Sequence, residues 1–278
     1  MPGKTLAPNN LRHEEINPAQ KEKRERLKQI LKNLHEAKTE EIPRIRKEAE
    51  RYFKDIDPKE LALAEQELIQ AGIERKEMKR LCDVHLEIMK KQLGGGDKKI
   101  KLPDWHPIQI CMDEHKIIQR NSRKLKRTLE KVKLLGSLEK AKRQINTLKE
   151  LSHFFVETEK HHKREEEALF PRLEAHGITE PPQIFKEEHV EFLAKKKEFY
   201  SVMMSDTSDY KKFVAAIEPL IDFLAKNLDE HIYKEDHILY PMSLQTLEQE
   251  EWKQVRKKFD AIGYCCFAPA DIKNKGVR

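Results

Sequence analysis

The sequence has few of the residues that favour strands and tight turns. Aromatic residues make up 7% of the 278 residues, and only 9 residues are glycine. Charged residues, in contrast, make up 37% of the chain. This balance is typical of helical proteins with solvated outer faces, and it argues against a β-rich fold. We therefore expect an all-α protein.

Long apolar runs and a cysteine framework are also missing. The chain has no run of about 20 apolar residues, the length that a membrane-spanning helix needs, and the first residues do not resemble a signal peptide. Four cysteines in a chain of 278 residues do not make a disulfide framework. We predict a cytoplasmic protein with reduced cysteines and no membrane partner.

The charge is mixed rather than of one sign. The net charge of +6 comes from 55 basic and 49 acidic residues, which alternate along most of the chain. Such mixing is typical of helix surfaces with ion pairs between residues three or four positions apart. The basic runs, Lys21–Arg26 and Lys195–Lys197, are short. We therefore do not predict a nucleic-acid partner.

Proline and glycine divide the chain into segments. The first residues are polar with scattered prolines, and a triple glycine, Gly94–Gly96, interrupts the helical pattern. Three consecutive glycines end a helix and make a flexible joint. The predicted segments are a flexible arm (1–19), a helical N-terminal module (20–93), a Gly-rich linker (94–103), a four-helix bundle (104–247), and a C-terminal helix and tail (248–278).

Apolar residues recur every three or four positions in the bundle segment, which predicts amphipathic helices. The second helix should run from about Leu138 and end at Phe170-Pro171, and the fourth should end at Tyr240-Pro241. The predicted inward faces are Cys111, His115, Ile118, Ser122, Leu125, Leu129 and Val132 on the first helix; Phe185, His189, Phe192, Phe199 and Met203 on the third; Ile217, Ile221, Leu224, Leu228, His231, Glu235 and Ile238 on the fourth.

A repeated motif relates the two halves of this segment. His161, Glu165 and Leu169-Phe170-Pro171 each have a counterpart 70 residues later, in His231, Glu235 and Leu239-Tyr240-Pro241. The triplets Asp113-Glu114-His115 and Glu187-Glu188-His189 repeat in the same way, 74 residues apart. The bundle is therefore predicted to be a duplicated helix pair, each half with one lone histidine and one His-x-x-x-Glu.

This arrangement is suited to binding metal. Residues four apart lie on one helix face, so a histidine nitrogen and a glutamate carboxylate can reach the same ion. A carboxylate can bridge two metals, and a buried glutamate needs a positive partner. Mixed imidazole and carboxylate ligands suit iron, with manganese or zinc as alternatives. We predict two non-haem iron ions, joined by an oxo or hydroxo bridge and held by His115, His161, Glu165, His189, His231 and Glu235.

Other interpretations of these residues remain open. A single histidine on an apolar face is more often a packed core residue than a ligand, and only the joint arrangement favours metal binding. His162 and Glu166 also form a His-x-x-x-Glu pair, and the proline-anchored repeat favours His161 and Glu165 over them. Cys82 and His85 lie three residues apart and could bind metal, although packing is the simpler interpretation.

The joint motif resembles the hemerythrin-like, or HHE cation-binding, family. The resemblance implies an up-and-down four-helix bundle with a two-iron centre. Its set of four histidines and two glutamates is more similar to the bacterial iron-centre repair proteins than to the oxygen carriers. The carriers have a second histidine four residues after the one on the third helix, where this chain has Leu193, and they bridge with aspartate where this chain has Glu235. The N-terminal segment resembles a small helical module found upstream of such bundles.

The resemblance implies a protein that binds or reacts with a small diatomic, O2 or NO, for sensing, stress defence or iron-centre repair. One alternative is a redox enzyme acting on NO or peroxide, for which the nearby general-acid candidates are His162, Tyr233 and His237. Another is a regulatory sensor that signals to a protein partner through the N-terminal module. Turnover would distinguish the enzyme, and ligand-dependent partner binding would distinguish the sensor.

Overall fold

The computed structural model describes residues 18–36, 42–53, 57–78, 101–206 and 208–267. Every regular element within these ranges is a helix, which confirms the predicted all-α class. Most of the predicted arm, most of the Gly-rich linker and the pair Cys82 and His85 lie outside the described residues.

The N-terminal module contains α1 (Pro18–Glu36), α2 (Ile42–Phe53) and α3 (Pro58–Gln70), and residues 75–78 are also helical. Arg24 of α1 ties two of these helices together, because its guanidinium donates to Glu60 at 2.8 Å and to Glu67 at 3.1 Å, both on α3. The apolar core between the helices consists of Leu27, Ile30, Leu31, Leu34, Ile45, Ala49, Leu61, Ala64, Leu68 and Met78.

The bundle has four long helical arms. Each arm packs against its neighbours in chain order and the last closes on the first, which confirms the predicted up-and-down bundle. The arms are α4 (Pro107–Leu135); a second arm of α5 (Lys142–Glu157), α6 (Glu159–Arg164), the π-turn π1 (Glu165–Leu169) and α7 (Phe170–Ala175); α8 (Glu180–Met204); and a fourth arm of α9 (Tyr210–Lys234), the π-turn π2 (Glu235–Leu239) and α10 (Tyr240–Thr246).

Local sequence explains where the first arm begins and ends. Pro107 occupies the first turn of α4, where its missing N–H is not needed. His106 caps this end, since its Nδ1 accepts from the backbone N–H of Ile108 at 3.2 Å. Gly136 ends the helix with a φ of 70°, a left-handed conformation that glycine adopts without strain. The predicted inward faces of the first, third and fourth arms are buried, as expected.

The prolines do not end the second and fourth arms, so this prediction was wrong. Each arm instead passes through a π-turn, in which the N–H of Phe170 bonds the carbonyl of Glu165 and the N–H of Tyr240 bonds that of Glu235. A proline removes one N–H and crowds the preceding turn. The wider turn accommodates it, and the helix continues.

The module packs directly on the bundle through α3. The amide of Gln66 donates to the carbonyl oxygen of Gly177 at 2.9 Å and accepts from the N–H of Thr179 at 2.8 Å. Ile238 of π2 is buried in the apolar core of the module. One face of the π-turn that begins with Glu235 is therefore covered by the module.

A last helix, α11 (Gln249–Ile262), lies across π1 and α6. Trp252, Val255 and Phe259 bury their side chains in the same cluster as Leu169 and Phe170. Among the described residues, no helix has the length and apolar character required to cross a membrane.

Candidate metal centre

The six predicted ligands converge at one place in the bundle. His115, His161, His189 and His231 come from different arms, and all four are buried. The Nε2 atoms of His115 and His161 are 3.0 Å apart, and those of His189 and His231 are 3.1 Å apart. The histidines therefore form two pairs, each with two imidazole nitrogens directed at one point.

Two fully buried glutamates lie between these pairs. Glu235 places Oε2 at 3.1 Å from Nε2 of His115 and Oε1 at 3.0 Å from Nε2 of His231. Glu165 places its Oε2 3.6 Å from Nε2 of His161 and 3.7 Å from Nε2 of His189. Both glutamates are the first residues of π-turns, and each spans the two histidine pairs.

In each of the four central histidines, the ring nitrogen that faces away from the centre, Nδ1, contacts a carboxylate. An ionised carboxylate only accepts hydrogen bonds, so each Nδ1 donates to its carboxylate, and each Nε2 is the ring nitrogen that could bind a cation at the centre. The Nδ1 contacts are His161 to Glu114 at 2.7 Å, His231 to Glu188 at 2.7 Å, His115 to Asp236 at 2.8 Å and His189 to Glu166 at 2.8 Å.

The residues present fit a metal centre. Among the residues that the structure describes, none makes a hydrogen bond with Oε2 of Glu165 or with either carboxylate oxygen of Glu235, and all three oxygens are buried. Together with the four Nε2 atoms, they place potential metal-ligand atoms close together in a space closed to water. Such a cluster is unfavourable unless a cation neutralises it.

Electrostatics in the metal-free arrangement lead to the same conclusion. Burial, and then the nearby charge of Glu235, raise the pKa of Glu165 well above its usual range. Burial would also raise the pKa of Glu235, but His231 and His115 lower it well below its usual value. Without a cation, the two carboxyl groups do not both ionise readily, so metal binding should displace a proton.

Two buried ion pairs support the histidines from outside. Glu114 pairs with Arg164, and Glu188 pairs with Lys234. Burial would raise the pKa of Glu188, but His231 and Lys234 lower it to about 2. Sequence reasoning missed these partners, although the acidic residue directly before the lone histidine in both repeats was the signal for them.

The C-terminal segment anchors one of these pairs. Arg164 Nη1 donates to the carbonyl oxygen of Gly263 at 2.8 Å, and its guanidinium lies 5.0 Å from the ring centroid of Tyr264. Cys265 is buried beside it, whereas Cys266 is exposed. Gly263 and Tyr264, which follow α11, therefore contact the cation that pairs with Glu114.

The alternative pair, His162 and Glu166, occupies different surroundings. Glu166 is partly exposed and contacts Nδ1 of His189. The His162 ring stacks on His189 with 4.0 Å between centroids, and burial lowers the pKa of His162 well below its usual value. This geometry favours His161 and Glu165, although His162, His189 and His231 also form a buried cluster of ring nitrogens.

The other general-acid candidates pack toward the module. The ring of Tyr233 stacks on His237 with 3.9 Å between centroids, and Tyr233 lies against the apolar core of the module.

Two groups near the centre were not predicted as site residues. The hydroxyl of Tyr240 donates to Oε1 of Glu165 at 2.6 Å and lies 3.3 Å from Nε2 of His115. Cys111 is buried, and its Sγ lies within 4.8 Å of ligand atoms of His161 and Glu165. In the sequence, Tyr240 is marked only by its place in the repeated Leu-aromatic-Pro motif.

A helical bundle whose four arms direct histidines and glutamates at one buried point is a cation-binding bundle. Residues 106–243 match the hemerythrin HHE cation binding domain, so this part of the chain belongs to that family, and the predicted resemblance is confirmed. Residues 27–95 match a family of unknown function, DUF438, over most of the N-terminal module. No curated protein matches the chain.

Proposed function

We propose that the bundle binds two non-haem iron ions and acts on a small diatomic, O2 or NO, in sensing, stress defence or iron-centre repair. The observation that carries the proposal is the convergence of four Nε2 atoms on two buried glutamates. In this proposal His115 and His161 bind one ion, His189 and His231 bind the other, and Glu165 and Glu235 bridge them.

The donor set supports iron. Imidazole and carboxylate suit iron better than the softer metals that thiolates select, with manganese or zinc as alternatives. Iron bound in this way supplies reversible redox chemistry and coordination positions for small ligands. The chain itself contributes orientation, because a carboxylate fixes each imidazole through Nδ1, and it excludes water by burying the centre.

The metal test compares two histidines of the second arm. Freshly purified protein is expected to contain two irons per chain and to show an oxo-bridge band in the near ultraviolet. His161→Ala should lose metal, whereas His153→Ala should not, because His153 is exposed on the neighbouring helix α5. Equal iron content in both variants would contradict the proposed centre.

The ligand test uses the reduced, iron-loaded protein. Addition of O2 or NO should change the visible spectrum in proportion to bound iron. Continuous consumption of excess NO or peroxide would instead indicate the redox enzyme. If neither diatomic changes the spectrum, the proposed ligand class is contradicted, but the proposed metal centre is not.

A regulatory sensor is a second candidate, and the packing of α3 on π2 favours it. A shift of Glu235 would also move Ile238, because both lie in the same π-turn. Ile238 is buried in the apolar core of the module. Coupling requires that the module interact differently with the two states of the centre. Proteolysis near Gly94–Gly96, measured with and without a diatomic ligand, tests this candidate. Identical cleavage rates would argue against it.

A further inference from the structure

The internal repeat predicts two equivalent halves, but one pair of matched residues differs chemically. Tyr240 follows π2 at the position where Phe170 follows π1. Both rings stack on the lone histidine of another arm: Tyr240 on His115 with centroids 5.6 Å apart, and Phe170 on His189 with centroids 6.0 Å apart. The backbone and the ring positions thus repeat, and the halves differ here by one hydroxyl.

That hydroxyl changes what the two glutamates present to the centre. It donates to Oε1 of Glu165 at 2.6 Å and so fixes the orientation of this carboxylate. The other oxygen of Glu165 therefore faces both histidine pairs, at 3.6 Å from His161 and 3.7 Å from His189. Within the described part of the chain no phenol hydroxyl bonds Glu235, which directs a different oxygen to each pair.

In a second matched pair, the polar side chain again lies near His115 and His161, and its counterpart is again phenylalanine. Cys111, near His161 and Glu165, has Phe185 as its counterpart 74 residues later. The Phe185 ring packs edge-on to His231 with 5.2 Å between centroids. A thiol and a phenol thus lie near the His115 and His161 pair, at positions where the other half has phenylalanine.

We propose that Tyr240 is a positioning residue that makes the two metal positions inequivalent by holding one oxygen of Glu165. This inference rests on the two-metal centre proposed above. Glu235 spans the two positions with both oxygens, whereas Glu165 offers the same oxygen to both. The position between His115 and His161 also faces a hydroxyl, whereas the position between His189 and His231 faces the Phe170 ring.

The repeat itself supplies the test variants. Tyr240→Phe installs the residue of the other half and frees Oε1 of Glu165. Phe170→Tyr adds a hydroxyl in the matched place against Glu235. Either single change should make the halves alike at this position, with no hydroxyl or with two, although the difference between Cys111 and Phe185 remains. The double variant Tyr240→Phe/Phe170→Tyr should move the hydroxyl to the other half.

The measurement is Mössbauer spectroscopy of the full chain loaded with ⁵⁷Fe, after the iron content of every variant has been determined. The parent should give two quadrupole doublets of equal area. In each single variant the separation between the two doublets should shrink, and in the double variant it should widen again. A purely structural role of the tyrosine would not produce this return.

Several results would overturn the proposal. One is two unchanged doublets in both single variants at full iron content. Another is a visible tyrosinate-to-iron charge-transfer band in the parent that Tyr240→Phe removes, because the phenol would then be a ligand itself. Parent protein with fewer than two irons would instead overturn the proposed centre. If Tyr240→Phe fails to fold, Phe170→Tyr alone decides the question.

Discussion

Glu114 and Glu188 occupy matching positions, each one residue before a lone histidine, and each accepts from Nδ1 of a histidine on the following arm at 2.7 Å. Each also pairs with a buried cation, Arg164 for Glu114 and Lys234 for Glu188. The duplication seen in the ligands therefore extends to the groups that orient them.

Replacing these supporting carboxylates should weaken metal binding. Loss of such an outer partner typically lowers metal affinity about 10–100-fold. Glu188→Gln is expected to fall in this range because it removes the charge that orients and polarises His231. Glu187→Gln, at the exposed neighbouring position, is the matched control and should bind metal like the parent. Competition with a chelator measures both, and equal affinities would show that Glu188 only packs.

The two glutamates proposed to bridge the metals should matter more for metal binding than Glu166 does. Glu235→Ala and Glu165→Ala are each expected to lose metal and to melt at lower temperature, because bound metal stabilises the fold by mass action. Glu166→Ala should be milder, since Glu166 is partly exposed and contacts only the outer nitrogen of His189. The measurements are the metal content and the melting temperature of the three variants. Severe loss in Glu166→Ala with Glu165→Ala tolerated would shift the site by one residue.

A buried lysine gives a prediction about stability. Lys196 is fully buried, and its Nζ lies 2.8 Å from Oε1 of Glu159 and 2.8 Å from Oγ1 of Thr158. Glu159→Ala would leave the ammonium with fewer partners, which should destabilise the fold by about 1–3 kcal/mol. Glu157→Ala, at an exposed position two residues away, is the control. Urea unfolding at neutral pH measures both, and equal midpoints would contradict the prediction.

The burial of Lys196 also predicts how the loss of stability in Glu159→Ala depends on pH. Burial lowers the pKa of Lys196 despite the opposing effect of Glu159. Removing Glu159 should lower this pKa further. As pH rises toward the ordinary lysine value, the difference in bound protons between the unfolded and folded states is therefore larger for the variant than for the parent. Stability increases with pH when the unfolded state binds more protons. The deficit of Glu159→Ala should therefore shrink between neutral pH and about pH 10, and a constant deficit would argue against a buried charge.

A bundle fragment tests the predicted domain division. All six predicted ligands follow Leu102, so a fragment from Leu102 to the C-terminus is expected to bind two metals. It should melt below the full chain, because removing the module exposes Ile238 and leaves Thr179 without its partner Gln66. Metal content and melting temperature are the measurements. A folded fragment without metal would place the domain boundary elsewhere.

Much of the centre could be predicted because helical periodicity is a local property. His115 and Ile118 share a face with Leu125 whatever lies opposite, since residues three and four apart are neighbours on any α-helix. The repeat then singled out His161 with Glu165 and His231 with Glu235. The structure brings these residues together as expected, and the prediction that they bind two irons awaits measurement.

Other features of the centre depend on which arms are neighbours. The sequence by itself determined the four helix faces and the residues on them, because both follow from spacing along one chain. Glu114 meets His161 only because the first and second arms are adjacent, and Tyr240 reaches Glu165 only across the bundle. The π-turns that set these glutamates in place form within the packed arms, where the proline-bearing helix continues instead of ending. Tertiary packing decided these contacts, because a hydrogen bond between arms requires both backbones to be placed first.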